Sequence, residues 1–138
     1  MARETFLDTS GFYALLVAED AKHGQAKGWL TAAESAQSRS VTTDYVLDET
    51  ATLMKAKGHG HLLKGFFERV EGSEVIRVEW TDASRFRRAK EFFLRHDDHG
   101  YSFTDCVSFI VMKEFSLHEA LTKDKHFREA GFKGLLVD

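Results

Sequence analysis

A chain of 138 residues with 43% hydrophobic content is long enough for one domain with a real core and too short for two ordinary ones. Lys and Arg number 19 against 22 Asp and Glu, and the net charge of −3 excludes an overtly basic nucleic-acid binder while leaving room for a local basic face. The 30% of charged residues, the single Cys and the want of a long apolar run exclude extended disorder, an internal disulfide and a membrane span.

The opening Met-Ala-Arg-Glu-Thr does not read as a signal peptide, and the expected location is the cytoplasm. Thr5, Phe6 and Leu7 read as a first strand closed by Asp8. Thr9 and Ser10 are available as helix caps, which leaves Asp8 free, and Phe12 to Val17 continue as a helix. Asp20 to Ala36 predict a second helix with Ala26, Trp29, Leu30 and Ala33 on one stripe. A polar turn leads to a short strand at Val41 and Thr42. A helix over Thr43 to Lys57 follows, with Val46, Leu47, Thr50, Leu53 and Met54 inward.

Gly58-His-Gly-His breaks that helix. The next one keeps Leu62, Leu63, Phe66, Phe67 and Val70 on one face, and Val75 to Val78 is the clearest strand. Thr81-Asp82 caps a helix with Phe86, Ala89 and Phe93 inward. After a polar His96-Asp-Asp-His loop, Thr104-Asp105 opens another helix. Ala120 and Leu121 form a strand ended by Thr122-Lys-Asp124, Phe127 lies in a short helix, and Leu135 to Val137 form a last strand. Short strands alternating with helices predict a parallel sheet covered on both faces, within a single domain over 1–138.

Four carboxylates fall at comparable places: Asp8, Glu49, Asp105 and Asp124. Asp8 and Asp124 end strands and Asp105 lies in a first helical turn, so three share the carboxyl edge of a parallel sheet, where such folds keep ligand sites. Glu49 borders the apolar face of its helix while Asp48 points to solvent; taken alone, Glu49 also suits an ordinary boundary residue. Two carboxylates about 4 Å apart repel by roughly 4 kcal/mol at an effective dielectric near 20, so one takes a proton or a cation sits between them. Oxygen ligands point to Mg²⁺ or Mn²⁺, ions that activate water and clamp phosphodiesters.

Phe6-Leu-Asp8-Thr-Ser, Thr43-Asp-Tyr-Val-Leu-Asp-Glu49, Phe103-Thr104-Asp105-Cys and Leu121-Thr122-Lys-Asp124-Lys-His-Phe127 together resemble the successive motifs of PIN domains, in the flavour of VapC-type toxin ribonucleases. The resemblance implies a three-layer α/β/α fold with a five-stranded parallel sheet of order 3-2-1-4-5. It implies a Mg²⁺- or Mn²⁺-dependent endoribonuclease with Asp8, Glu49, Asp105 and Asp124 as catalytic metal ligands, Thr104 in support and Thr122 holding the last strand end beside them. An RNA substrate, a homodimer and a small antitoxin covering the acidic groove are implied as partners.

Arg85, Arg87, Arg88, Lys90 and Arg95 could draw an RNA backbone toward the acids, or form a solvated helix surface. His96 to His99 and His59-Gly-His61 suit a loop and a helix junction. Cys106 suits a buried thiol. Two other readings stand beside the nuclease. A receiver-like phosphoacceptor would use Asp82 and Lys123, and an inactive PIN-like module would only bind protein.

Overall fold

The computed structural model describes residues 4–138. Met1, Ala2 and Arg3, part of the opening read above as no signal peptide, lie outside the described residues. Strands β1 (Thr5–Leu7), β2 (Ser40–Thr43), β3 (Ile76–Glu79), β4 (Glu119–Leu121) and β5 (Lys133–Gly134) form one parallel sheet in the order β3-β2-β1-β4-β5. Helices α1 (Thr9–Leu16), α2 (His23–Ser35), α3 (Asp44–Ala56), α4 (Leu63–Glu71), α5 (Ala83–Arg95), α6 (Phe103–Glu114) and α7 (Lys125–Glu129) complete the three layers, as the motifs implied.

The middle of the sheet carries the core. Every residue of β1 is buried, and Phe6 pairs with Val41 on one side and Ala120 on the other. A strand covered on both faces must be apolar on both, which Thr5-Phe6-Leu7 nearly satisfies. Helix α6 is buried through Cys106, Val107, Phe109, Val111 and Met112, around most of its circumference, so it packs inside rather than on the rim. Phe109 meets Phe127 edge-on at 5.0 Å, and Phe6 lies 6.3 Å from the same ring. Gly11 lets α1 settle on the sheet: a Cβ there would stand 2.1 Å from the carbonyl oxygen of Leu121.

Several boundaries differ from the sequence reading, each for a local reason. Helix α1 begins at Thr9, directly after Asp8, because the Asp8 carbonyl accepts from Phe12 N–H at 3.0 Å. Asp8 therefore holds the N-cap position itself, yet its side chain makes no capping bond. The second helix starts at His23 rather than Asp20, since the Asp20 carboxylate accepts from Lys22 N–H at 2.9 Å and closes a turn there. Helix α6 starts at Phe103, where Ser102 and Asp105 form a capping box.

The last strand is Lys133–Gly134, not Leu135 to Val137. The chain turns at Gly134, whose carbonyl accepts from Val137 N–H, and Leu136 leaves the sheet edge to become core. The face of α5 is also rotated. Ala89 is buried, but Phe86 and Phe93 are 45% and 38% exposed, and Phe92 is the ring that packs inward on Phe109. Charge sets this rotation: Arg85 turns under the helix to reach Glu79 at 2.9 Å and Glu114 at 2.9 and 3.1 Å.

Candidate metal centre

Parallel pairing sets the first contact. Leu7 sits opposite Leu121, so the next residues, Asp8 and Thr122, emerge side by side at the carboxyl edge of the two central strands. The Thr122 hydroxyl donates to Asp8 Oδ2 at 2.7 Å, and Ser10 Oγ lies 3.1 Å from Thr122 Oγ1 and 3.4 Å from the same Asp8 oxygen. Ser10 Oγ accepts from Lys123 N–H, and Thr122 Oγ1 accepts from Asp124 N–H. Two hydroxyls thus lock the ends of β1 and β4 together around one carboxyl.

Asp105 enters from α6. Its Oδ2 accepts from Ser102 N–H at 3.1 Å while its own N–H donates to Ser102 Oγ at 3.0 Å. Asp124 caps α7 by accepting from His126 N–H at 2.9 Å. The His126 ring then returns to the carboxylates, with Nδ1 3.2 Å from both Asp105 Oδ2 and Asp124 Oδ1. Among the described residues, Asp105, Asp124 and His126 form a group whose ligand atoms all lie within 4.8 Å of one another. Asp8 and Glu49 stand outside that trio; Asp8 is coupled by charge to Asp105 on one side and to Glu49 on the other. Thr104 lies half-buried between the two capping residues and gives its carbonyl to Ser108 Oγ.

The electrostatics follow from burial. Asp8 is 4% exposed, and its pKa is pushed up to about 7, first by loss of water, then by the charges of Asp105 and Glu49 against the pull of the Thr122 hydroxyl. Glu49 is half-buried on α3, whereas Asp48 is exposed. Burial is also the main cause that raises Asp105; the Ser102 N–H opposes it and the Asp124 charge adds to it. Helix placement does not win here, because desolvation outweighs the favourable N-terminal position. Acids held close with raised pKa values are a donor set that a divalent cation fits, since the cation supplies the missing charge.

The other candidates fall elsewhere. Arg85 is paired to Glu79 and Glu114, and Arg88 to Glu114 at 3.3 Å, while Arg87, Lys90 and Arg95 are exposed. His96 stacks on Phe92 and His99 on Tyr101, so these loop histidines are taken up by aromatic packing. Cys106 is buried and its thiol is pushed up to about 11 by desolvation, with the Asp105 charge adding. Asp44 ties α3 to the loop before α5 by accepting from Thr81 N–H and Oγ1.

The receiver-like reading fails on topology. A flavodoxin-type order places the third strand beside the first, whereas β2 separates β1 from β3 here. Lys123 is paired with Asp20 at 2.6 Å, and Asp82 caps α5.

Sequence reasoning missed Ser10, Ser102 and His126. The signals were present: Ser10 lies two residues after Asp8, His126 two after Asp124, and Ser102 three before Asp105 at capping-box spacing.

Fold and notch together define an α/β/α protein with carboxylates gathered at the carboxyl edge of its central strands. The sequence profile of the PIN domain matches residues 5–133, and the chain belongs to the PIN domain family. It is 38% identical over 128 residues to the 23S rRNA-specific endonuclease VapC20 of Mycobacterium tuberculosis, covering 92% of this chain and 94% of that one. It is 32% identical over 125 residues to a VapC ribonuclease of Archaeoglobus fulgidus, covering 88% and 77%. The crystal structure of VapC20, described as a sarcin-ricin loop cleaving toxin, superposes with a TM-score of 0.82 at 34% identity over 93% of this chain and 95% of that one. FitAcB from Neisseria gonorrhoeae, at 18% identity, shares the fold with a TM-score of 0.63 over 94% of each chain.

Proposed function

We infer that this chain is a VapC-type endoribonuclease, a toxin that hydrolyses RNA phosphodiester bonds with a divalent cation, Mg²⁺ or Mn²⁺. The observation that carries the reading is the meeting of acids from β1, α6 and the end of β4 in one notch, with Glu49 of α3 close enough to raise Asp8. Identity to relatives that cut RNA supports it across nearly the whole chain. Its substrate class is single-stranded or loop RNA, where the backbone is accessible to a notch of this kind.

Asp8, Glu49, Asp105 and Asp124 would hold the cation, which when bound supplies the positive charge that activates water and steadies the phosphate oxygens. Thr122 and Ser10 keep Asp8 in place, and Ser102 keeps Asp105. Thr104 supports α6 at its first turn. Arg87, Lys90 and Arg95 are the exposed cations of α5 that remain for the RNA backbone, since Arg85 and Arg88 are occupied by carboxylates.

A second copy and a small antitoxin are the expected partners. The first is supported by a run of exposed apolar side chains, Trp80, Phe86, Phe93 and Leu94, on and beside α5. The second follows from the toxin description of the VapC20 structure. The test is incubation of the purified chain with 23S rRNA and Mn²⁺, then mapping of the ends. Discrete cuts leaving a 5′-phosphate and a 3′-hydroxyl support the reading; intact RNA under these conditions contradicts it.

A further inference from the structure

His126 is not among the acidic ligands, yet its ring lies against two of them. We propose that His126 Nδ1 is a nitrogen ligand of the cation position it shares with Asp105 and Asp124, so that this position prefers Mn²⁺ to Mg²⁺. The proposal deepens the metal-dependent reading given above and rests on it.

The distances fit. Neighbouring ligands of an octahedral ion with bonds of about 2.1 Å stand about 3.0 Å apart. Nδ1 stands 3.2 Å from an oxygen of Asp105 and 3.2 Å from an oxygen of Asp124, and the three donor atoms lie within 4.8 Å of one another. Only small shifts convert this trio into one face of a coordination shell, with the cation taking the place of the Nδ1 proton.

The ring is also held in place, as a ligand must be. His126 N–H is bonded to the Asp124 carboxylate, which fixes the first turn of α7, and the next residue, Phe127, is clamped in the core by Phe6 and Phe109. Tyr101 meets the imidazole edge-on at 5.5 Å. Gly100 leaves room on the far side: a Cβ there would come to 3.3 Å from Nε2. The side chains of His126 and Asp105 are only 24% and 8% exposed, so water competes poorly for this corner.

The chemistry sets the preference. An all-oxygen shell suits Mg²⁺, while one imidazole tilts a site toward Mn²⁺ and the later divalent metals. An imidazole serving only as a structural ion-pair partner would leave no nitrogen in the shell.

The experiment is pulsed electron paramagnetic resonance on the full chain without a histidine tag, loaded with one equivalent of Mn²⁺. The wild type should show ¹⁴N modulation from a directly bound imidazole. His126→Gln should lose that modulation while lowering Mn²⁺ affinity about tenfold or more and Mg²⁺ affinity less than about threefold. Bound Mn²⁺ without nitrogen coupling in the wild type overturns the proposal alone, whether or not the variant folds. Coupling that persists in folded His126→Gln overturns it too. A wild type that binds no Mn²⁺ overturns the metal-dependent reading and this proposal with it.

Discussion

Two charged regions of this protein are built on opposite rules. Around β3, α5 and α6, Arg77, Arg85 and Arg88 face Glu4, Glu79 and Glu114 in alternating pairs at 2.6 to 3.3 Å. There the Glu114 carboxyl is held below its usual range by the Arg85 guanidinium, and Arg85 is raised in return. At the notch the acids outnumber the cations: Asp105 and Asp124 share His126, Asp8 feels the charges of Asp105 and Glu49, and Asp8 and Asp105 are raised by burial. Matched charge closes on itself and holds elements together. Unmatched buried charge carries a stability cost that a proton or a bound cation offsets.

The largest expected effect comes from removing one unmatched acid. Asp8→Asn should lower RNA cleavage at least about 10³-fold in a steady-state assay, with the fold intact by circular dichroism. Loss of less than tenfold would place Asp8 with the structural charges instead.

The same substitution should stabilise the metal-free protein. The folded pKa of Asp8 is raised from 3.8 to about 7, so the native state holds a proton that the unfolded chain releases. That contribution is present below about pH 4, declines as the pH rises and is gone above the folded pKa. Urea unfolding in the presence of chelator should therefore find Asp8→Asn gaining on the wild type by about 2 to 3 kcal/mol between pH 5 and pH 8. A constant gap would contradict the raised pKa.

Breaking the matched region should do the reverse. Glu114→Ala leaves Arg85 with Glu79 and the Trp80 carbonyl and should cost about 1 to 2 kcal/mol of stability by the same unfolding assay, with cleavage changed less than about threefold. The outer side of α5 gives the smallest effect. Phe86→Glu should weaken self-association about tenfold in sedimentation equilibrium, near 1.4 kcal/mol, while leaving monomer stability within error. Equal dissociation constants for the two proteins, or no self-association in either, would contradict the proposed role of that face.

How much of this was legible in the sequence depends on the scale of the interaction. The sheet order was legible because the motifs that carry the family resemblance keep their spacing whatever the local detail, and the same motifs put forward Asp8, Glu49, Asp105 and Asp124 as candidates. Asp8 at the end of Thr5-Phe6-Leu7, and Asp105 in a first helical turn, are patterns of neighbouring residues. The rotation of α5 was not legible, because Arg85 is drawn inward by Glu114, 29 residues away, and periodicity alone favours Phe86 over an arginine for the inner face. The last strand was misplaced because Leu135 to Val137 is apolar for a different reason: Leu136 plugs the core after the turn at Gly134. His126 lies within the Leu121-to-Phe127 segment, but its return to Asp105 across 21 residues depends on tertiary packing beside Tyr101 that no local pattern encodes.

The most direct measurement is cleavage of 23S rRNA by the purified chain with Mn²⁺, after chelation, and after Mn²⁺ is restored, with Asp105→Asn in parallel. The account expects cutting that stops with chelator, returns with the ion, and never occurs with Asp105→Asn. Cutting that survives chelation, or that Asp105→Asn carries out at the wild-type rate, would contradict it.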